Sequence, residues 1–146
     1  MPQTVTVQKI MTKDVFTIGL EDTVHRADEI MKEENVRHVP VVDGGKLVGL
    51  ITERSLREYT LRNLYEFDES NETEGRNKIS DFHDIMTEVL HIVYPDDSVE
   101  KAVKLMTKYK VECLPVVDWN NNLVGILTTY DALLFLHNKL AEGKVL

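Results

Sequence analysis

The chain has 146 residues, 42% of them hydrophobic and 29% charged, with seven glycines and four prolines. A chain of this length buries roughly 70% of its unfolded surface, so a true core is expected, and collagen-like, low-complexity and fully disordered classes are excluded. Seventeen Lys and Arg against twenty-five Asp and Glu leave a net charge of −8, which repels a polyphosphate backbone and argues against nucleic acid as a partner.

The first residues, MPQTVTVQKIM, lack the charged-then-apolar pattern of a secretory leader. The longest apolar run, Ala132 to Leu136, falls far short of the roughly twenty residues that span a bilayer. A cytoplasmic protein without a membrane segment is the expectation. Residues 23 to 34 then carry Val24, Ala27 and Met31 at i, i+3 and i+7, an amphipathic helix opened by Asp22 near its N-cap. HVPVVD (38 to 43) and KLVGLIT (46 to 52) are β-branched runs separated by Gly44-Gly45, a hairpin signal. Thr52 opens a second helix reaching residue 65.

Next comes YEFDESNETEGRN, in which residues 66 to 74 hold five acids and no base, a composition that favours solvation over packing. Beyond it the first pattern returns. A shift of 75 positions places Ile10-Met11-Thr12 on Ile85-Met86-Thr87, Asp22, Val24, Ala27, Met31 and Val36 on Asp97, Val99, Ala102, Met106 and Val111, and Pro40 to Asp43 on Pro115 to Asp118. After one extra residue, Leu47-Val48-Gly49 falls on Leu123-Val124-Gly125 and Thr52 on Thr128, giving 16 identities over 43 aligned positions. The second copy therefore repeats the helix at 98 to 109, opened by Asp97, the strands LPVVD and NLVGILT, and a closing helix opened by Thr128. Each unit reads strand, helix, strand, strand, helix. Some 55 residues with one apolar sheet face are marginal alone, so the two copies are expected to share a core.

Chemistry concentrates at the closing helices. Thr128-x-x-Asp131 sets a hydroxyl and a carboxylate beside unpaired amides, where the helix dipole favours anions and the carboxylate can accept from both hydroxyls of a ribose. The same spacing is also close to a capping box, in which both side chains satisfy the helix's own amides. The first copy reads GLITERS, with Ser55 in place of the acid, and a neutral hydroxyl cannot make the paired, charge-assisted bonds of a carboxylate. Histidines 25, 38, 83, 91 and 137 have no metal-ligand spacing. The single cysteine, Cys113, excludes an intramolecular disulfide and reads as a buried structural thiol. No Ser-His-Asp order, nucleophile elbow or phosphate-binding loop proposes a reaction.

The series IMT, HVPVVD, LVGLIT and its second copy ending in GILTTYD resembles a tandem pair of cystathionine β-synthase (CBS) domains, over about residues 8–65 and 79–140. The resemblance implies an α/β (α+β) fold of two βαββα repeats packed sheet to sheet about a pseudo-twofold axis. Repeat 1 would occupy 1–65, the acidic linker 66–78 and repeat 2 79–146. It implies a non-catalytic regulatory module that holds an adenosyl ligand (AMP, ADP or ATP, with S-adenosylmethionine and NAD as further options) in the cleft between its repeats. Thr128 and Asp131 would bind it, with Thr17, Ile18, Val36, Arg37 and His38 lining the same cleft. Thr52, Arg54 and Ser55 would form a second, weaker cleft. With no attached catalytic or DNA-binding domain expected, the signal is expected to reach a regulated protein in trans. A homodimer is expected through the closing helices, because Ala132 to Leu136 and then Leu140 put apolar residues more than once around the last helix. The alternative is a ligand-independent interaction or dimerisation module.

Overall fold

The computed structural model describes residues 4–63, 86 and 91–143. The acidic stretch from Glu66 to Glu74 and the rest of the expected linker lie outside the described residues. The chain divides into two compact units, residues 16–89 and residues 1–15 together with 90–146.

The unit of residues 16–89 contains β1 (Ile18–Gly19), α2 (Val24–Glu34), β2 (His38–Asp43), β3 (Lys46–Thr52) and α3 (Glu53–Asn63), α1 being the short helix Val7–Ile10 of the other unit. Its sheet has the order β1-β2-β3. β1 runs parallel to β2, pairing Ile18 with Val41, so the chain must cross over between them, and α2 is that crossover. β2 and β3 form an antiparallel hairpin in which His38 faces Thr52 and Asp43 faces Lys46. The turn at Gly44 and Gly45 has φ of 58° and 83°, a left-handed pair that only glycine adopts without strain. Val24, Ala27, Ile30 and Met31 turn the buried face of α2 onto Ile18, Val39, Val41, Ile51 and Leu56. Each buried Val, Ile, Leu or Met side chain among them contributes about 1.5–3 kcal/mol.

Caps set the limits of α2. The Thr23 hydroxyl accepts from the Arg26 N–H at 3.1 Å, and Asn35, in the left-handed region at φ 52°, ends the helix. Asp22, expected at the helix opening, accepts instead from the Gly19 N–H at 2.7 Å. It therefore fastens the turn before the helix, and the capping role falls to its neighbour.

The other unit contains α1, α4 (Val99–Tyr109), β4 (Cys113–Val117), β5 (Leu123–Thr128) and α5 (Thr129–Ala141). The local devices recur 75 residues on. Asp97 accepts from the Tyr94 N–H at 2.8 Å, Ser98 caps the Lys101 N–H at 3.0 Å, and Lys110 ends α4 at φ 55°. β4 pairs antiparallel with β5, and Val93 bridges in parallel to Val116 as Ile18 does to Val41.

The opposite edge is supplied by the start of the chain. Thr12 and Ile126 exchange both backbone hydrogen bonds at 2.9 Å, and the Val7 and Val99 amides donate to the Asp97 and Val5 carbonyls. Val7 and Met11 thus pack with Ala102, Met106, Leu114, Val116 and Leu127. The leading segment of the first copy belongs to the unit built from the second. Met86, from the matching triplet of the second copy, packs in turn against the core of residues 16–89.

Candidate functional site

At the junction of β5 and α5, Thr128 keeps an extended backbone (φ −109°, ψ 167°), which suits an N-cap. Its hydroxyl accepts from the Asp131 N–H at 3.3 Å, while Asp131 Oδ2 accepts from the Thr128 N–H at 2.9 Å. This is a complete capping box. The Thr128 hydroxyl also donates to Oδ2 at 3.2 Å.

A third donor comes from far away in sequence. The Thr12 hydroxyl stands 3.1 Å from Asp131 Oδ1 and 3.3 Å from Oδ2. Asp131 is the buried charged side chain among the described residues, 9% exposed. A carboxylate in that position requires such donors, because an unpaired buried charge is costly. Sequence reasoning matched the IMT triplet in both copies but gave Thr12 no role. Its signal was that repeated polar residue closing an apolar pair.

Cys113 faces Thr128 across the β4–β5 ladder. Burial pushes its thiol well above the ordinary value, and the Asp131 carboxylate pushes the same way. The thiol stays protonated and is no nucleophile.

The first copy builds the same corner from a weaker residue. Thr52 and Ser55 satisfy each other's amides at 3.0 and 2.9 Å, and the Ser55 hydroxyl donates to the Thr52 carbonyl at 3.0 Å. Arg54 and Glu58 form an exposed pair at 3.4 Å. The Arg37 carbonyl accepts from the Glu53 N–H at 2.8 Å, setting the Val36–His38 segment beside the start of α3, and Arg37 Nε lies 3.7 Å from a Glu53 carboxylate oxygen. The Glu112 carbonyl accepts from the Thr129 N–H at 2.9 Å in the matching place.

Of the expected site residues, Thr128 and Asp131 therefore meet at one corner and Thr52 and Ser55 at another. Arg54 stands in the first turn of α3. Thr17, Ile18, Val36, Arg37 and His38 belong with Thr52 and Ser55 to the unit of residues 16–89. Ile18 and His38 are strand residues, and Thr17 and Val36 are half-buried.

The sequence profile of the CBS domain matches twice, at residues 7–62 and 82–138, and the chain belongs to the CBS domain family. It is 33% identical over 125 residues to the CBS domain-containing protein YhcV of Bacillus subtilis, covering 86% of this chain and 81% of that protein. It is also 33% identical to an inosine-5′-monophosphate dehydrogenase of Methanocaldococcus jannaschii, covering 86% of this chain but 22% of the enzyme. The chain spans about a fifth of the length of such larger relatives. Among solved structures it is similar to the CBS domain pair of protein MJ0100 in complex with 5′-methylthioadenosine and S-adenosyl-L-methionine (28% identity, TM-score 0.77, 94% of this chain and 99% of that one). It is likewise similar to CBSX2 in complex with AMP (26% identity, TM-score 0.75, 92% and 97%). The expectation of a tandem CBS pair with mixed α and β structure is borne out.

Proposed function

We propose that the chain is a non-catalytic regulatory module that binds an adenosyl ligand through Asp131 and Thr128 and passes the bound state to a protein partner. The observation that carries the reading is the Asp131 carboxylate, nearly buried at the N-terminus of a 13-residue helix, where amides and dipole favour polar ligands rich in oxygen. The adenosyl compounds in the two similar CBS pairs support the ligand class, of which AMP, ADP and ATP are the leading members here and S-adenosylmethionine and NAD the further ones. Thr17, Ile18, Val36, Arg37 and His38 are assigned as ligand neighbours by the family resemblance. Thr52, Arg54 and Ser55 form the weaker counterpart, because a serine hydroxyl already committed to its own cap has no charge to offer.

A thermal-shift panel of these compounds tests the reading, since a ligand at 100 times its dissociation constant adds about 2.7 kcal/mol of stability. A melting temperature unmoved by every member would reject it. A second reading, a ligand-independent dimerisation module, is favoured by α5, where Leu133, Leu134, Leu136 and Leu140 are 64%, 45%, 42% and 49% exposed. In that case Asp131 is only a helix cap and no panel member shifts the melt.

A further inference from the structure

A carboxylate offers about four lone-pair sites, and three of those on Asp131 already have donors within the chain. Two come from Thr128, its N–H at 2.9 Å and its hydroxyl at 3.2 Å on Oδ2, and the third is the Thr12 hydroxyl at 3.1 Å from Oδ1. One site is left. A ribose presents two neighbouring hydroxyls, so a diol that bonds this carboxylate in full must displace one resident donor.

The three donors are not equally easy to displace. The Thr128 amide is fixed by the β5–α5 junction, and the Thr128 hydroxyl is tied to the Asp131 N–H by the capping box. Thr12 is different. Its backbone is held on both sides by Ile126, but its residue is exposed and its hydroxyl turns away by rotation about one side-chain bond, leaving the ladder intact.

We propose that Thr12 is an internal competitor for the carboxylate sites that a ribose diol takes on Asp131, and so sets both the affinity of the site and its demand for a diol. The proposal rests on the reading of Asp131 as an adenosyl-binding residue. The Thr12 hydroxyl holds Oδ1 in the free protein, is displaced when the second ribose hydroxyl arrives, and thereby subtracts one charge-assisted hydrogen bond from the ligand's gain. A ligand with a single hydroxyl uses the remaining site and has no need to move it.

Calorimetry with AMP and 2′-deoxy-AMP on the wild type, Thr12→Val and Thr12→Ser tests this. Valine keeps the shape and strand preference of threonine without its donor. Thr12→Val is expected to tighten AMP by roughly three- to tenfold, to change 2′-deoxy-AMP less, and thus to widen the ratio between them, while Thr12→Ser matches the wild type. AMP binding that weakens or stays unchanged in Thr12→Val, alongside a wild type that binds, would overturn the proposal and leave the function reading standing. A wild type that fails to bind while Thr12→Val binds AMP supports it. Failure of all three to bind AMP and every other panel member defeats the function reading and the competition with it. A ligand-free measurement checks the bond itself: Thr12→Val lowers the melting temperature in the wild-type background and has no further effect beside Asp131→Ala. Equal losses in both backgrounds would show that the hydroxyl does not hold the carboxylate.

Discussion

The side chain of Met11 fills the space that a β-carbon on Gly125 would need, with its sulfur 2.6 Å from that position. The Thr12 carbonyl lies 3.0 Å from the same point and is itself held by the Ile126 amide. The relationship recurs in the other unit, where Met86 occupies the equivalent space over Gly49. Each glycine of the two LVG triplets is therefore a seat for the methionine of an IMT triplet.

Gly125→Ala forces Met11 to move and presses on a backbone carbonyl that cannot retreat without breaking the ladder. Overpacking of this kind costs about 1–3 kcal/mol, which for a chain of this size lowers the melting temperature by several degrees. Met11→Ala added to Gly125→Ala is expected to recover part of the loss. Thermal melts of the two single variants and the double one check it. Strictly additive losses would show that the methionine and the glycine are not coupled.

Asp131→Ala is expected to weaken AMP binding about tenfold or more, because hydrogen bonds to a charged group are worth roughly 1.5–3 kcal/mol. Ser55→Ala should leave the same affinity nearly intact. Asp131→Asn retains a capping oxygen and guards against a loss that merely reflects helix fraying. Ser55→Asp is expected to add or strengthen a second binding event. Calorimetry on these variants decides, and equal affinity in Asp131→Ala and the wild type would remove Asp131 from the site.

Cys113 gives a pH prediction with a definite sign. Its thiol is raised in the folded chain, so above the ordinary thiol value the unfolded chain binds fewer protons than the native one, and stability falls as pH rises. Urea titrations across pH 8 to 10 (the range in which an unperturbed thiol ionises) should show a steeper decline for the wild type than for Cys113→Ala. Parallel declines would mean that the thiol ionises freely in the native state. Native Cys113 should also resist alkylation until the protein is unfolded.

The leucines of α5 predict self-association. Leu133, Leu134 and Leu136 within one turn, followed by Leu140, form an exposed apolar patch, and patches of this kind mark association surfaces. Light scattering at micromolar concentration is expected to give twice the chain mass, and Leu136→Glu to return it to a single mass. A wild type of single mass throughout that range would exclude a dimer built on this helix.

The repeat made most of the fold legible. Apolar spacing located α2 and α4 to within a residue, the β-branched runs located both hairpins, and Gly44-Gly45 marked the turn. The roles of Asp22 and Asp97 were displaced by one residue, because a carboxylate can fasten the preceding turn as readily as it caps a helix, and sequence spacing does not separate the two. α1 left no signal, since four residues are too few for a helical period to show. The capping box at Thr128 and Asp131 was visible as a spacing, whereas its third partner was not. A hydrogen bond between positions 12 and 131 depends on the assignment of the leading segment to the far copy, and no local pattern records that assignment.

That assignment also fixes an order of events when the chain is made. Every described strand and helix of residues 16–89 is synthesised before α4 and β5. Residues 5–12 are made before all of these, yet among the described residues their backbone partners outside the segment lie between Pro95 and Val99 and at Ile126, so Val7 must wait for Asp97, and Thr12 for a residue more than a hundred positions further on. A segment made before the strands of residues 16–89 is thus among the later ones to find its place.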